Sequence, residues 1–279
     1  MEKGLKNSHI EMILSHFLGL DKTRVFLLED IPEDNIRDIE KVLNRLLSGE
    51  PIEYIINKAD FYGREFYVDN RVLVPRNETE LMVEKVLENI KKSEKKREKY
   101  DFFIDFGTGS CAMPISIFLN NNKKNINYFA VDISDKALEV AKKNAENYKA
   151  NIKLKQSDLA NYFLESLDEL KGVKNVIITA NLPYIKNRDF INMDQEVIFF
   201  EPSVALYGGE ETGFELYEKL TQQLLELKEK LSIEKIVAFY EIGFDQYEVS
   251  KEFLEKKGLK FDYFKDFNNI YRTIKVEFI

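Results

Sequence analysis

From Tyr100 onward the chain alternates short strand-like runs with amphipathic helical stretches, and this alternation is the tightest limit on its fold. FFIDF (102–106), NYFAVD (127–132), IKLKQSD (152–158), KNVIITAN (174–181) and EKIVAFYEIG (234–243) read as strands. SDKALEVAKKNAENY and a stretch near 211–229 read as helices between them. Another helix is expected near 245–257, with strand-like runs near 259–265 and 271–278. Strands separated by helices form a mostly parallel sheet covered on its faces. Ligands of such sheets bind beyond the carboxyl ends of the strands. The residues just after positions 106, 132, 158 and 181 therefore come first.

Asp105-Phe106-Gly107-Thr108-Gly109-Ser110-Cys111 follows the first of these strands. Glycines there let backbone approach a ligand and turn sharply into a helix. Gly107, Gly109 and Ala112 also fit the dinucleotide-binding spacing, which leaves the cofactor open; a tight turn without a ligand is the bland alternative. Asp132 ends the next strand, where a carboxylate can accept from two ribose hydroxyls or cap the following helix. Asp158 closes the third strand, within reach of an adenine amino group. Asn181-Leu182-Pro183-Tyr184 discriminates best among the open readings. The Asn181 oxygen and the Leu182 carbonyl offer two acceptors to a planar NH2 group, Pro183 restrains the loop, and Tyr184 adds an aromatic face. A hydride-transfer enzyme has no evident use for that loop, although an ordinary turn would also favour Asn and Pro. Methyl transfer from S-adenosylmethionine to an amide-like nitrogen is the reaction these residues suit.

Upstream, residues 8–48 read as helical, with Ile36, Ile39, Val42, Leu43, Leu46 and Leu47 on one stripe and Gly49 as a stop. In 60–75 the period changes, and Asp69-Asn70 looks like a hairpin turn. A helix over 78–97 runs into KKSEKKREK, read as a solvated helix end. No run reaches about 18 uncharged apolar residues, and the N-terminus lacks the pattern of a secretory signal. A lone Cys111 suits a reducing compartment, so a cytoplasmic location is expected. Two histidines and one cysteine do not supply a common structural zinc site, and no metal is expected. A net charge of −8 argues against stable nucleic-acid binding.

With these motifs the sequence resembles the HemK-type family, the protein-(glutamine-N5) methyltransferases that modify the GGQ motif of peptide chain release factors. The resemblance rests on Gly49-Glu50-Pro51-Ile52, Phe61 to Phe66, Val74 to Glu80, Asp105 to Ser110 and Asn181 to Tyr184. Glu201-Pro202, Gly208-Gly209, Gly213 and Glu241-Ile242-Gly243 also fall where similar segments lie. It implies a class I S-adenosylmethionine-dependent methyltransferase: an α/β fold, Rossmann-like, with a mostly parallel seven-stranded sheet. A helical substrate-docking domain over 1–58, a β-hairpin linker over 59–76 and a catalytic domain over 77–279 are expected, in a monomer. The implied cofactor residues are Gly107, Thr108, Gly109, Ser110, Cys111, Asp132, Asp158, Leu159 and Asn181. Asn181, Leu182, Pro183 and Tyr184 would hold the glutamine, with Asn181, Pro183 and Tyr184 as the catalytic set. Leu182 stands where the family usually has proline, which keeps the carbonyl but is expected to relax the loop and lower activity. Cys111 replaces the usual glycine and is expected to crowd the cofactor loop; Asn77 replaces a proline; Pro114 is expected to remove a helical hydrogen bond. Competing readings are an adenine-N6 methyltransferase acting on nucleic acid, a nucleotide-dependent dehydrogenase, and a binding module without turnover.

Overall fold

A computed structural model describes residues 7–28, 30–121, 126–186 and 199–279; parts of the expected docking and catalytic domains, including 1–6 and 187–198, lie outside them. The helical start consists of α1 (Asn7–Leu18), α2 (Lys22–Phe26), α3 (Glu33–Leu47) and α4 (Ile52–Ile56). Ile13, Ile39, Val42, Ile52, Ile55 and Ile56 form its own small core. The α3 stripe is narrower than its spacing suggests: Ile36 and Leu47 are exposed. They flank the buried Ile39–Val42 line.

Helix α4 faces two ways. Its isoleucines belong to the helical core, while Tyr54 donates its hydroxyl to the Val72 carbonyl at 2.6 Å and packs with Val68, Val72 and Val74. The hairpin that follows pairs β1 (Ala59–Phe61) with β2 (Arg64–Phe66). Its turn is Tyr62-Gly63, both at positive φ (50° and 70°), not Asp69-Asn70. Two successive left-handed residues give the twist a two-residue hairpin requires. Asp69 instead holds Arg71, accepting its backbone N–H at 3.1 Å and its guanidinium at 2.6 and 2.9 Å.

After α5 (Glu80–Lys95), the sheet strands are β3 (Phe102–Phe106), β4 (Asn127–Asp132), β5 (Ile152–Gln156), β6 (Asn175–Ala180), β9 (Lys235–Glu241), β10 (Lys260–Lys265) and β11 (Tyr271–Phe278). A short pair, β7 (Ile185–Lys186) with β8 (Tyr207–Gly209), lies apart from it. The seven-stranded order is β10-β11-β9-β6-β3-β4-β5. It is parallel except at β11, which runs antiparallel to both β9 and β10. Helices α6 (Ala112–Asn120), α7 (Asp135–Asn147), α8 (Asn161–Glu165), α9 (Glu215–Leu231) and α10 (Tyr247–Lys256) complete the catalytic part. The sheet is apolar on both faces: Ile104, Phe106, Phe129 and Ile178 enter one core, and Phe103, Tyr128, Ala130 and Ile177 the other. Burial on both faces is why these strands read as near-continuous apolar runs rather than alternating ones. The chain leaves β3 toward β4 on one side and reaches β6 on the other, so a crevice opens at the carboxyl ends of these central strands.

Candidate active site

That crevice is a cavity of about 740 Å³ lined by Gly107–Ser110, Asp132, Ser157–Leu159 and Asn181–Pro183, together with Pro75, Arg76, Thr79 and Pro202–Ala205. All four strand ends singled out from the sequence meet there.

Gly107 and Gly109 have φ of 70° and 52°. A Cβ on Gly107 would stand 3.0 Å from Leu182 Cδ2 and 3.6 Å from the Asn181 carbonyl, so a side chain would crowd the narrowest part of the crevice. The Asp132 carboxylate accepts the N–H groups of Gly109 and Ser134, both at 2.9 Å, which braces the glycine turn against β4. Each carboxylate oxygen keeps capacity for a further donor. Burial raises the Asp132 pKa, opposed by those backbone N–H groups. Asp158 lines the cavity while pairing with Lys219 at 2.5 Å. Leu159 lies beside it at φ 52°, a costly conformation for a leucine, steadied where Gln223 accepts the Ala160 N–H at 3.0 Å.

Asp105 is buried in the cavity wall. Thr179 donates to its Oδ1 at 2.6 Å, while Oδ2 and the adjacent Thr108 hydroxyl have no hydrogen-bond partner. Desolvation pushes its carboxyl up to about 7, partly offset by the Thr179 hydroxyl. A buried, unpartnered carboxylate oxygen beside a cavity is the complement of a cationic group.

Asn181 donates its Nδ2 to Thr79 Oγ1 at 3.1 Å, and both residues line the cavity. Leu182 N–H donates to the Tyr217 hydroxyl at 2.9 Å, and that hydroxyl lies 3.2 Å from the Leu182 carbonyl and in hydrogen-bond contact with the Glu241 carbonyl. Glycines surround the loop: a Cβ on Gly208 would stand 2.4 Å from the Pro183 carbonyl, and one on Gly213 2.1 Å from that of Tyr184. Gln246, fully buried, donates to the Tyr184 and Thr212 carbonyls and accepts the Gly243 N–H. These contacts place Gly208, Gly213, Gly243 and the Glu241 carbonyl around Asn181–Tyr184.

Tyr184 is half-buried; its ring packs against the core and stands 3.2 Å from where a Gly243 Cβ would lie. Two expectations are corrected. Cys111, at φ 64°, buries its side chain in the core beneath the loop and does not crowd the cavity. Pro114 removes no helical bond: the first bond of α6 runs from Ile115 N–H to Cys111, so the missing N–H is one of the first-turn donors without an intrahelical partner.

Other site-shaping contacts carried no sequence signal. Asn144 on α7 and Tyr217 on α9 read as ordinary positions of amphipathic helices. Arg76 donates to both oxygens of the buried Glu201, at 2.8 and 2.7 Å, closing the cavity rim; only the charge pairing in space reveals it.

Residues 5–56 match the family described as PrmC N-terminal domain, and residues 78–230 match ribosomal protein L11 methyltransferase (PrmA). Release factor glutamine methyltransferase of Bacillus subtilis is 34% identical over 278 residues, covering 98% of this chain and 92% of that protein. The enzyme of that name from Staphylococcus aureus is 31% identical, covering 98% and 93%, and that from Aquifex aeolicus 34%, covering 95% and 88%. Among solved structures, the hMettl16 catalytic domain in complex with MAT2A 3'UTR hairpin 6 has a TM-score of 0.55 at 13% identity, covering 85% of this chain and 91% of its own. The N-terminal domain of human METTL16 in complex with SAH has a TM-score of 0.50 at 18% identity, covering 76% and 74%. These two likenesses concern the fold alone.

Proposed function

The chain belongs to the release factor glutamine methyltransferase family, and on that premise we propose that it methylates N5 of the glutamine in the GGQ motif of peptide chain release factors in the cytoplasm. Its cofactor is S-adenosylmethionine, and the crevice suits that molecule. The free oxygen of Asp105 complements its ammonium group, Asp132 its ribose, and the bare Gly107 its close approach to the backbone. When bound, S-adenosylmethionine supplies a methyl group made electrophilic by a cationic sulfur.

One observation supports the choice of substrate atom: Asn181 lines the cavity and its Nδ2 already donates to Thr79, so Oδ1 is the amide atom with acceptor capacity to offer. An amide NH2 has two N–H bonds to give, and Asn181 Oδ1 with the Leu182 carbonyl supplies two acceptors. Holding both N–H bonds orients the nitrogen and stabilises the positive charge that grows on it during transfer. Alignment of this kind is worth up to roughly 7–11 kcal/mol, which a poor nucleophile such as an amide needs. Leu182 and Pro183 exclude water beside the nitrogen, while Tyr184 acts through its backbone, held by Gln246. Helices over 1–58 are the proposed docking domain, 59–76 the linker and 77–279 the catalytic domain, in a monomer.

Methylation of a ribosomal protein is the second reading, favoured by the match over 78–230. It does not account for the matching N-terminal part. Incubation with labelled S-adenosylmethionine and purified release factors, ribosomal protein or DNA, followed by mass-spectrometric mapping, tests both. Methyl on the GGQ glutamine is the expected result; methyl confined to another substrate would overturn it.

A further inference from the structure

Asp158 stands two residues beyond β5 and lines the cavity with its neighbours Ser157 and Leu159. The backbone there is pinned on both sides. Ser157 N–H donates to the Asp132 carbonyl at 2.9 Å, and Ala160 N–H donates to Gln223 Oε1 at 3.0 Å. Gln223 is buried and also donates from Nε2 to Asn161 Oδ1 at 2.6 Å. These bonds fix the loop but not the direction of the Asp158 side chain. That side chain is 40% exposed, and a solvated carboxylate by itself exchanges between rotamers.

Lys219 removes that freedom. It lies one turn before Gln223 on the same face of α9, and its Nζ donates to Asp158 Oδ2 at 2.5 Å. One carboxylate oxygen is thereby engaged, which leaves Oδ1 to accept from a ligand. Leu216, a turn earlier again, lines the cavity itself, so this face of α9 runs along the crevice. With Lys219 46% exposed and Asp158 40%, the ion pair adds little to stability, and its use lies in direction. We propose that Lys219 is a positioning residue of the cofactor site. It holds the Asp158 carboxylate as an acceptor at the cavity wall and so sets a preference for adenine over a 6-oxo purine. The adenine NH2 donates to such an acceptor, whereas an oxygen in its place faces a second acceptor. This rests on the reading of Asp158 as the acceptor for the adenine amino group, and it is independent of which substrate receives the methyl group.

Calorimetry with S-adenosylhomocysteine and its hypoxanthine analogue, S-inosylhomocysteine, reads the preference without turnover. Wild type should favour the adenine form by about tenfold or more. Lys219→Met keeps the stem and removes the charge; it should narrow that ratio about threefold or more, and Lys219→Arg should restore it. Thermal midpoints of the three proteins should agree, because an exposed pair is being changed. Asp158→Asn is the reference: its amide can serve either purine, so the preference should largely disappear. A K219M protein that keeps the wild-type ratio, or widens it, while D158N loses it, would overturn the role of Lys219 and leave that of Asp158 standing. A wild-type ratio retained in D158N would remove Asp158 from the adenine and sink the inference with it.

Discussion

Asn144, buried in α7, donates from one Nδ2 to the carbonyls of Ser110 and Tyr67, each at 2.9 Å, and its Oδ1 accepts the Tyr67 N–H at 2.8 Å. One side chain thus joins the end of the glycine loop to the segment after the hairpin. Its three partners are all backbone groups, of which the Ser110 carbonyl contact is buried. Asn144→Ala should therefore destabilise the protein by about 3 kcal/mol and loosen the loop that holds the cofactor. Urea unfolding with and without S-adenosylmethionine checks both effects. An unchanged midpoint would show that the bridge is dispensable.

Asp105 ties cofactor binding to pH. Its folded carboxyl titrates at about 7, raised by burial. A cation placed against it favours the ionised form, so below pH 7 binding must first expel a proton. Affinity for S-adenosylmethionine should rise with pH and level off above about 7, with a slope of up to roughly tenfold per unit below it. Calorimetry near neutral pH, in buffers of different ionisation enthalpy, should show proton release. Asp105→Asn should bind weakly and independently of pH; a D105N variant retaining the wild-type pH profile would move the effect to another group.

The architecture was legible where a single strand or helix carries its own pattern. Runs such as FFIDF and KNVIITA are apolar because the sheet buries both faces, and Gly107 and Asn181 follow strands whose ends meet at the crevice. The hairpin turn was misplaced because Asp69-Asn70 has turn chemistry of its own, spent here on Arg71. The packing of the Tyr184 ring on the core beside Gly243 was not legible, because an aromatic beside a site carries no local sign of which way it faces. Asn144, Tyr217 and the pairing of Arg76 with Glu201 were illegible for one reason: each joins segments far apart in the chain, and nothing local says which partner is met.

Glu241 gives stability its own pH dependence. Its folded carboxyl is raised to about 7, chiefly by burial, against hydrogen bonds from Thr79 and Asn181 and the charge of Arg272. Because the folded value lies above the unfolded one, its contribution is fully present below about pH 4.5 and is lost as pH rises through about 7. Wild type should lose a few kcal/mol from this residue between those limits. Glu241→Gln, which carries no charge at any pH, should be more stable than wild type at pH 8 relative to pH 5. Paired denaturation curves at the two pH values test this; a difference of the opposite sign would mean that Arg272 holds the carboxylate charged throughout.

Leu182 occupies the position where the resembling family has proline, and the simple expectation is that Leu182→Pro would stiffen the loop and speed transfer. The structure argues the reverse. Leu182 N–H donates to the Tyr217 hydroxyl at 2.9 Å, and the leucine side chain fills the space beside Gly107. Proline has no N–H to give, so the buried Tyr217 hydroxyl would lose its donor while remaining beside the Leu182 and Glu241 carbonyls. L182P should thus reduce methyl transfer about tenfold through a displaced carbonyl, with a loss of roughly 1–2 kcal/mol in stability. Tyr217→Phe alone should also reduce transfer, since it frees Leu182 N–H and the Glu241 carbonyl together. Combining the two should cost less than the sum, because proline and phenylalanine leave no unmatched pair between them. A double-mutant cycle on kcat/KM measures that coupling. If L182P instead transfers faster and Y217F is silent, the loop is held by ring stiffness rather than by Tyr217.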